Sequence, residues 1–186
     1  MGQAHAQPTD TRAPSKSDDV NRTIETQAQP TGTRTPSKSD DVNRTNRDGQ
    51  SPLWIASFND HLDEVKKLIE AGADINQANK TNLTPLYVAS RKGHHDVVQT
   101  LLGAGAGVNI ARSNDNATPL YVASLEGHYD VVQTLLGAGA GVNIARSDNN
   151  TTPLYVAREE GYHDVVQTLL GAGAGVNIAT YDVSDV

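Results

Sequence analysis

The residue types in this chain with chemical potential are its histidines, its hydroxyls and three glycine-rich runs. Gly103-Ala104-Gly105-Ala106-Gly107 recurs at residues 137–141 and 171–175, a glycine density that would suit a loop cradling phosphate. Phosphate loops of that kind follow a strand and open a helix. Here each run follows an apolar segment of helical period and closes it, so the glycines read as helix terminators. His94-His95, His128 and His163 would be the metal candidates. The chain has no cysteine, and no Glu stands at ligand spacing from these histidines. No nucleophile is set beside a base and an orienting acid, and near-identical units make a poor asymmetric site. The expectation is therefore no enzyme, no cofactor and no metal.

Composition divides the chain in two. The first aromatic residue is Trp54, and residues 1–46 offer only Val20, Ile24 and Val42 as sizeable aliphatics. Such a segment cannot bury enough surface to offset its chain entropy. It is also neutral, with six Lys/Arg against six Asp/Glu, so the net charge of −7 resides entirely in the remainder. An acidic folded part repels phosphate backbones, which argues against nucleic acid as a partner. There is no apolar run of membrane-spanning length and no secretory leader pattern. Gly2 invites N-myristoylation, yet Ala6 stands where that motif wants Ser or Thr. A protein of the cytoplasm or nucleus, neither secreted nor membrane-bound, is expected.

Positioning must come from repeats, and two sets are present. In the tail, residues 7–23 recur at 29–45 with two changes, a tandem duplication of 22 residues. Beyond it, Thr84-Pro85-Leu86-Tyr87-Val88-Ala89 returns at 118–123 and 152–157, with a diverged copy, Ser51-Pro52-Leu53-Trp54-Ile55-Ala56, at 51–56. Thr84 suits an N-cap and Pro85 the first helical position, and the short helix stops at Gly93. Asp96 falls in the first turn of a second helix, on whose face Val97, Val98, Leu101 and Leu102 recur. Gly105 is the expected left-handed terminator, and residues 112–116 read as an exposed turn. A two-helix unit this short is marginal alone, so units must stack.

The repeat period, Thr-Pro-Leu-x-x-Ala, and the downstream Gly-His, Val-Val, Leu-Leu and Gly-Ala-x-x-Asn resemble the ankyrin repeat. The resemblance implies an all-α solenoid of helix–turn–helix units with short β-hairpin-like loops, behind a disordered tail. Its bounds would be a tail over 1–46, repeats at about 47–79, 80–113, 114–147 and 148–180, and a short end at 181–186. Three departures stand out. Tyr87, Tyr121 and Tyr155 (Trp54 in the first unit) replace a His that bridges neighbouring loops in the family. Asn82, Asn116 and Asn150 replace a turn glycine kept as Gly49, and Gly107, Gly141 and Gly175 replace an Asp kept as Asp74.

By resemblance the function is non-catalytic protein binding, as a scaffold or adaptor, on the concave face of the stack. Comparing the near-identical units places the variation at the hairpin tips and at the end of the first helix. Those positions are Lys80, Thr81, Leu83, Asn114, Asp115, Asp148 and Asn149, then Arg91, Lys92, Leu125, Glu126, Arg158, Glu159 and Glu160. Tyr87, Tyr121 and Tyr155 complete the candidate set. The charge runs from basic to acidic along it, which suits a polypeptide with its basic end near the fourth unit. The alternative is a fragment of a longer array, capped by further repeats or by weak self-association, because the last unit lacks the charged second helix of the first. Ser184-Asp185-Val186 also fits the short C-terminal ligand of PDZ-type domains. Ser15-Lys16-Ser17-Asp18 and its copy at 37–40 have the form of acid-directed phosphorylation sites.

Overall fold

A computed structural model of the chain describes residues 41–176. The first tail copy, the Ser-Lys-Ser-Asp segments and Ser184-Asp185-Val186 lie outside the described residues, as does the expectation of a disordered tail over 1–40.

Eight helices follow in order among the described residues. They are α1 (Pro52–Phe58), α2 (Leu62–Glu70), α3 (Pro85–Lys92), α4 (His95–Gly103), α5 (Pro119–Leu125), α6 (Tyr129–Gly137), α7 (Pro153–Glu159) and α8 (His163–Gly171). No strand occurs among these residues. Each odd-numbered helix begins the same way. The hydroxyls of Ser51, Thr84, Thr118 and Thr152 accept from the amides of Trp54, Tyr87, Tyr121 and Tyr155 at 3.2, 3.1, 3.1 and 3.3 Å. A proline fills the next position, where no amide is needed. Gly93 ends α3 in the left-handed region at φ 76°. It is doubly required there, because a Cβ would also lie 2.6 Å from the His128 ring. Asn82, Asn116 and Asn150 take the turn glycine's place at φ 58°, 57° and 55°, as expected of the side chain that best tolerates that conformation.

The units stack in parallel: α1, α3, α5 and α7 pack in one row, and α2, α4, α6 and α8 in the other. Between the rows lies a continuous core. Leu53, Leu86, Leu120 and Leu154 enter it from the first helices, and Val65, Val97, Leu101, Val131, Leu135, Val165 and Leu169 from the second. A smaller cluster on the hairpin side joins Trp54, Tyr87, Val88, Ala117, Tyr121, Val122 and Val156. The loops between units are tight. Backbone bonds from Asn79 to Leu83, Arg112 to Ala117 and Arg146 to Thr151 close them at 3.0, 2.9 and 2.9 Å.

The tail boundary expected after residue 46 differs from the packing. Val42 is 8% exposed and belongs to the main core. Asn43 Oδ1 accepts the Asp74 amide at 2.8 Å. The physical reason is that Val42-Asn43 reproduces Val108-Asn109 of a full unit and docks as that dipeptide does.

Leu135 is fully buried inside the third unit. Leu135→Ala is expected to cost ~2–5 kcal/mol, read from denaturant unfolding of the whole chain.

Candidate partner-binding surface

The sequence-selected residues fall into three environments. Lys80, Thr81, Asn114 and Asp148 at the hairpin tips are exposed, as are Arg91, Lys92, Glu126, Arg158, Glu159 and Glu160 at the helix ends. Leu83, Leu125 and Asn149 are half-buried. Tyr87, Tyr121 and Asp115 are buried, at 2%, 2% and 5% exposure, and are corrected from surface to interior. The two tyrosines bridge one unit to the next through the hairpin-side cluster. Their burial depends on a following unit: Tyr155, which has none among the described residues, is 39% exposed.

Asp115 is held by a cluster that sequence reading missed. The Arg112 side chain donates to both its carboxylate oxygens, through Nε at 2.8 Å and through Nη2. Arg146 Nη2, one unit later, reaches the same carboxylate at 3.1 Å and also pairs with Asp148. The Arg146 guanidinium lies 5.6 Å from the Tyr121 ring centre. Arg112 and Arg146 stand 34 residues apart, and Asp115 lies three beyond Arg112, so the period carried the signal. The Arg112 hydrogen bond holds the Asp115 carboxyl below its usual range, against the opposing effect of burial. Burial pushes the Tyr87 hydroxyl up. This cluster welds the third and fourth hairpins together, while the second hairpin has Ala78 and Thr81 in the corresponding places.

The helix-end charges are distributed unevenly. Arg91 Nε reaches Glu126 of the next unit at 3.7 Å, and Lys92 Nζ sits 4.8 Å above the Phe58 ring of the preceding one. Glu159 and Glu160 have no ion-pair partner among the described residues. Ser57, Ser90 and Ser124, each 0% exposed, occupy one equivalent position between stacked helices. The fourth unit places Arg158 there, with Tyr155 and Val176 exposed nearby at 39% and 62%. A shallow cavity of about 230 Å³ opens among Tyr155, Arg158, Glu159 and Val176.

These units start alike, stack in parallel and repeat every 33 or 34 residues. The family described as ankyrin repeats (3 copies) matches residues 33–112, 79–146 and 107–180. The chain belongs to the ankyrin-repeat family. No curated protein matches it. Ankyrin repeats serve in general as protein–protein interaction modules and are typically not enzymes. No helix among the described residues is long and apolar enough to cross a membrane.

Two ankyrin features are rebuilt in this chain. Where the family's bridging His is replaced, Trp54 Nε1 donates to the Leu83 carbonyl at 2.9 Å and the Tyr121 hydroxyl bonds Thr151 Oγ1 at 3.0 Å. Trp54 and Tyr121 thus keep a loop bridge. The histidines at the second-helix starts act in packing: His94 Nε2 donates to the Phe58 carbonyl and His128 Nε2 to the Arg91 carbonyl, both at 3.0 Å. In the fourth unit this ladder position is Tyr162, and His163 is the residue after it. Among the described residues no three His, Asp or Glu side chains converge as a metal site would require.

Asp115 carries a testable consequence. Its folded-state pKa is depressed, so its stabilisation is complete above the ordinary carboxylate range and is lost as pH falls through the folded value. Asp115→Asn is expected to cost on the order of 2 kcal/mol near neutrality and to flatten the acid limb of the stability–pH curve. Denaturant unfolding from pH 7 downward checks both.

Proposed function

We propose that this chain is a non-catalytic scaffold or adaptor that binds a partner polypeptide along its exposed hairpin tips and first-helix ends. One observation carries the reading. The residues of α4, α6 and α8 that build the core repeat without change, while exposed positions on the opposite row differ from unit to unit. Packing does not select Glu159 and Glu160, which stand where the second unit places Arg91 and Lys92 against its neighbours. A bound chain read along the stack would. Some of the variation serves the stack instead: Leu83, Ala117 and Thr151 sit half-buried or buried and adjust hairpin packing. The working surface is the exposed remainder together with the half-buried Leu125, and Leu125 and Tyr155 are its apolar anchors.

The charge order gives the partner a direction. Arg91 and Lys92 are already engaged within the stack, whereas Glu159 and Glu160 offer unpaired carboxylates at the far end. A segment with Lys or Arg at that end and a neutral stretch across Leu125 and Tyr155 fits best. The cysteine-free composition suits a cytoplasmic or nuclear setting.

The other reading makes the chain one stretch of a longer stacked array, or a self-associating one. A further unit packed on α7 in the same manner would bury Arg158 where the inner units place serine. Burying an unpaired guanidinium is costly, which favours an open last unit.

The test selects ligands from a displayed peptide library on the intact chain and measures their affinity by calorimetry. Glu159→Lys with Glu160→Lys is expected to weaken the selected ligands about tenfold, equivalent to ~1.4 kcal/mol, and to reduce their salt dependence. Unchanged affinity would reject the proposed direction of binding.

A further inference from the structure

Each buried tyrosine on the hairpin side is met by an arginine from the hairpin that follows it, 25 residues on. Arg112 follows Tyr87 at that distance and Arg146 follows Tyr121. The Arg146 guanidinium lies 5.6 Å from the Tyr121 ring centre, with Asp115 and Asp148 as its carboxylate partners. Arg112 is near enough to Tyr87 for its positive charge to oppose the burial that pushes that hydroxyl up. A cation is attracted by the negative face of an aromatic ring, more strongly where water is excluded.

The fourth unit keeps the receiving half of this arrangement. Tyr155 is 39% exposed, and no cation stands over its ring among the described residues. The position 25 residues on is Thr180, and residues 159–186 contain neither Lys nor Arg. Glu159 lies one helical turn beyond Tyr155 on α7, where the other units have Phe58, Arg91 and Leu125. Only here does a carboxylate share the face of the aromatic residue. Tyr155 and Glu159 line one shallow cavity with the buried Leu154 and the exposed Val176. Arg158 lines it too, and with Glu160 next in sequence two carboxylates stand against its one guanidinium.

We propose that Tyr155 and Glu159 form a site for an arginine of a partner polypeptide, its guanidinium over the tyrosine ring and paired with the Glu159 carboxylate. The site rests on the binding role proposed above and sharpens it. The cation at the acidic end is an arginine, and Tyr155 gives it a ring face besides apolar area. A guanidinium suits the place better than an ammonium because it is planar and weakly hydrated, so it can cover a ring while its edge donates to a carboxylate. Arg146 combines the same two contacts at Tyr121 and Asp115.

The test takes peptides selected from a displayed library on the intact chain and measures their affinity by calorimetry in a double-mutant cycle. The peptides are expected to share an arginine whose replacement by norleucine weakens binding about tenfold. On Tyr155→Leu, which keeps apolar area, the arginine and norleucine peptides are expected to differ by less than about threefold, whereas Tyr155→Phe keeps the discrimination. Glu159→Gln is expected to reduce it to an intermediate value. Denaturant unfolding checks that each variant is folded. A preference for arginine that survives Tyr155→Leu undiminished would overturn the site and leave the binding role standing, as would ligands that share no arginine. Self-association of the chain that is lost in Tyr155→Leu, read by sedimentation, would assign the face to a second copy and overturn the site as well. A library that yields no ligand would overturn both the site and the binding role.

Discussion

Two helices of seven to nine residues cannot hide their own apolar faces, and everything in this structure answers that shortage. Helix nucleation is costly and a single hairpin leaves one side wet. Each unit is completed only by its neighbours: Leu86, Leu120 and Leu154 close one row while Val97, Val131 and Val165 close the other. The same dependence sets the fate of the aromatics. Tyr87 and Tyr121 are interior residues because a hairpin follows them, and Tyr155 is a surface residue because none does among the described residues. Burial here is a property of place in the stack rather than of residue type.

What was legible in the sequence follows from this. Features determined within one unit could be read directly. The Thr-Pro helix starts, the Gly93 stop and the left-handed asparagines all obey local rules of capping and backbone freedom, and all stand where expected. Features determined between units were harder. Tyr87, Tyr121 and Asp115, candidates for the surface by sequence, are interior. Their partners, Arg146 and Thr151 among them, lie about one period away, out of reach of any local pattern. Arg158 shows the converse: its significance emerges only beside Ser57, Ser90 and Ser124, the buried residues whose place it takes.

The docking of Val42-Asn43 makes the same point at the chain's other end. Val42 was counted among the few aliphatics of a tail too polar to fold. The Val-Asn dipeptide acquires meaning from Ile75-Asn76, Val108-Asn109 and Val142-Asn143, whose asparagines accept the amides of Gly107, Gly141 and Gly175 in the unit ahead. The joint needs one apolar side chain, one amide oxygen and one carbonyl.

A binding role fits an architecture of this kind without any catalytic group. Core positions are consumed by stacking and stay uniform, which leaves exposed hairpin tips and helix ends as the places where units differ. Those differences run from charges satisfied within the stack to carboxylates that are not.

The dependence of each unit on its neighbours is most directly tested by native-state hydrogen exchange across all four repeats. Stacking of this kind requires the greatest protection in α4, α5 and α6, declining toward α1 and most steeply toward α8. Amides of α8 protected as strongly as those of α6, or four units exchanging independently with equal protection, would contradict it.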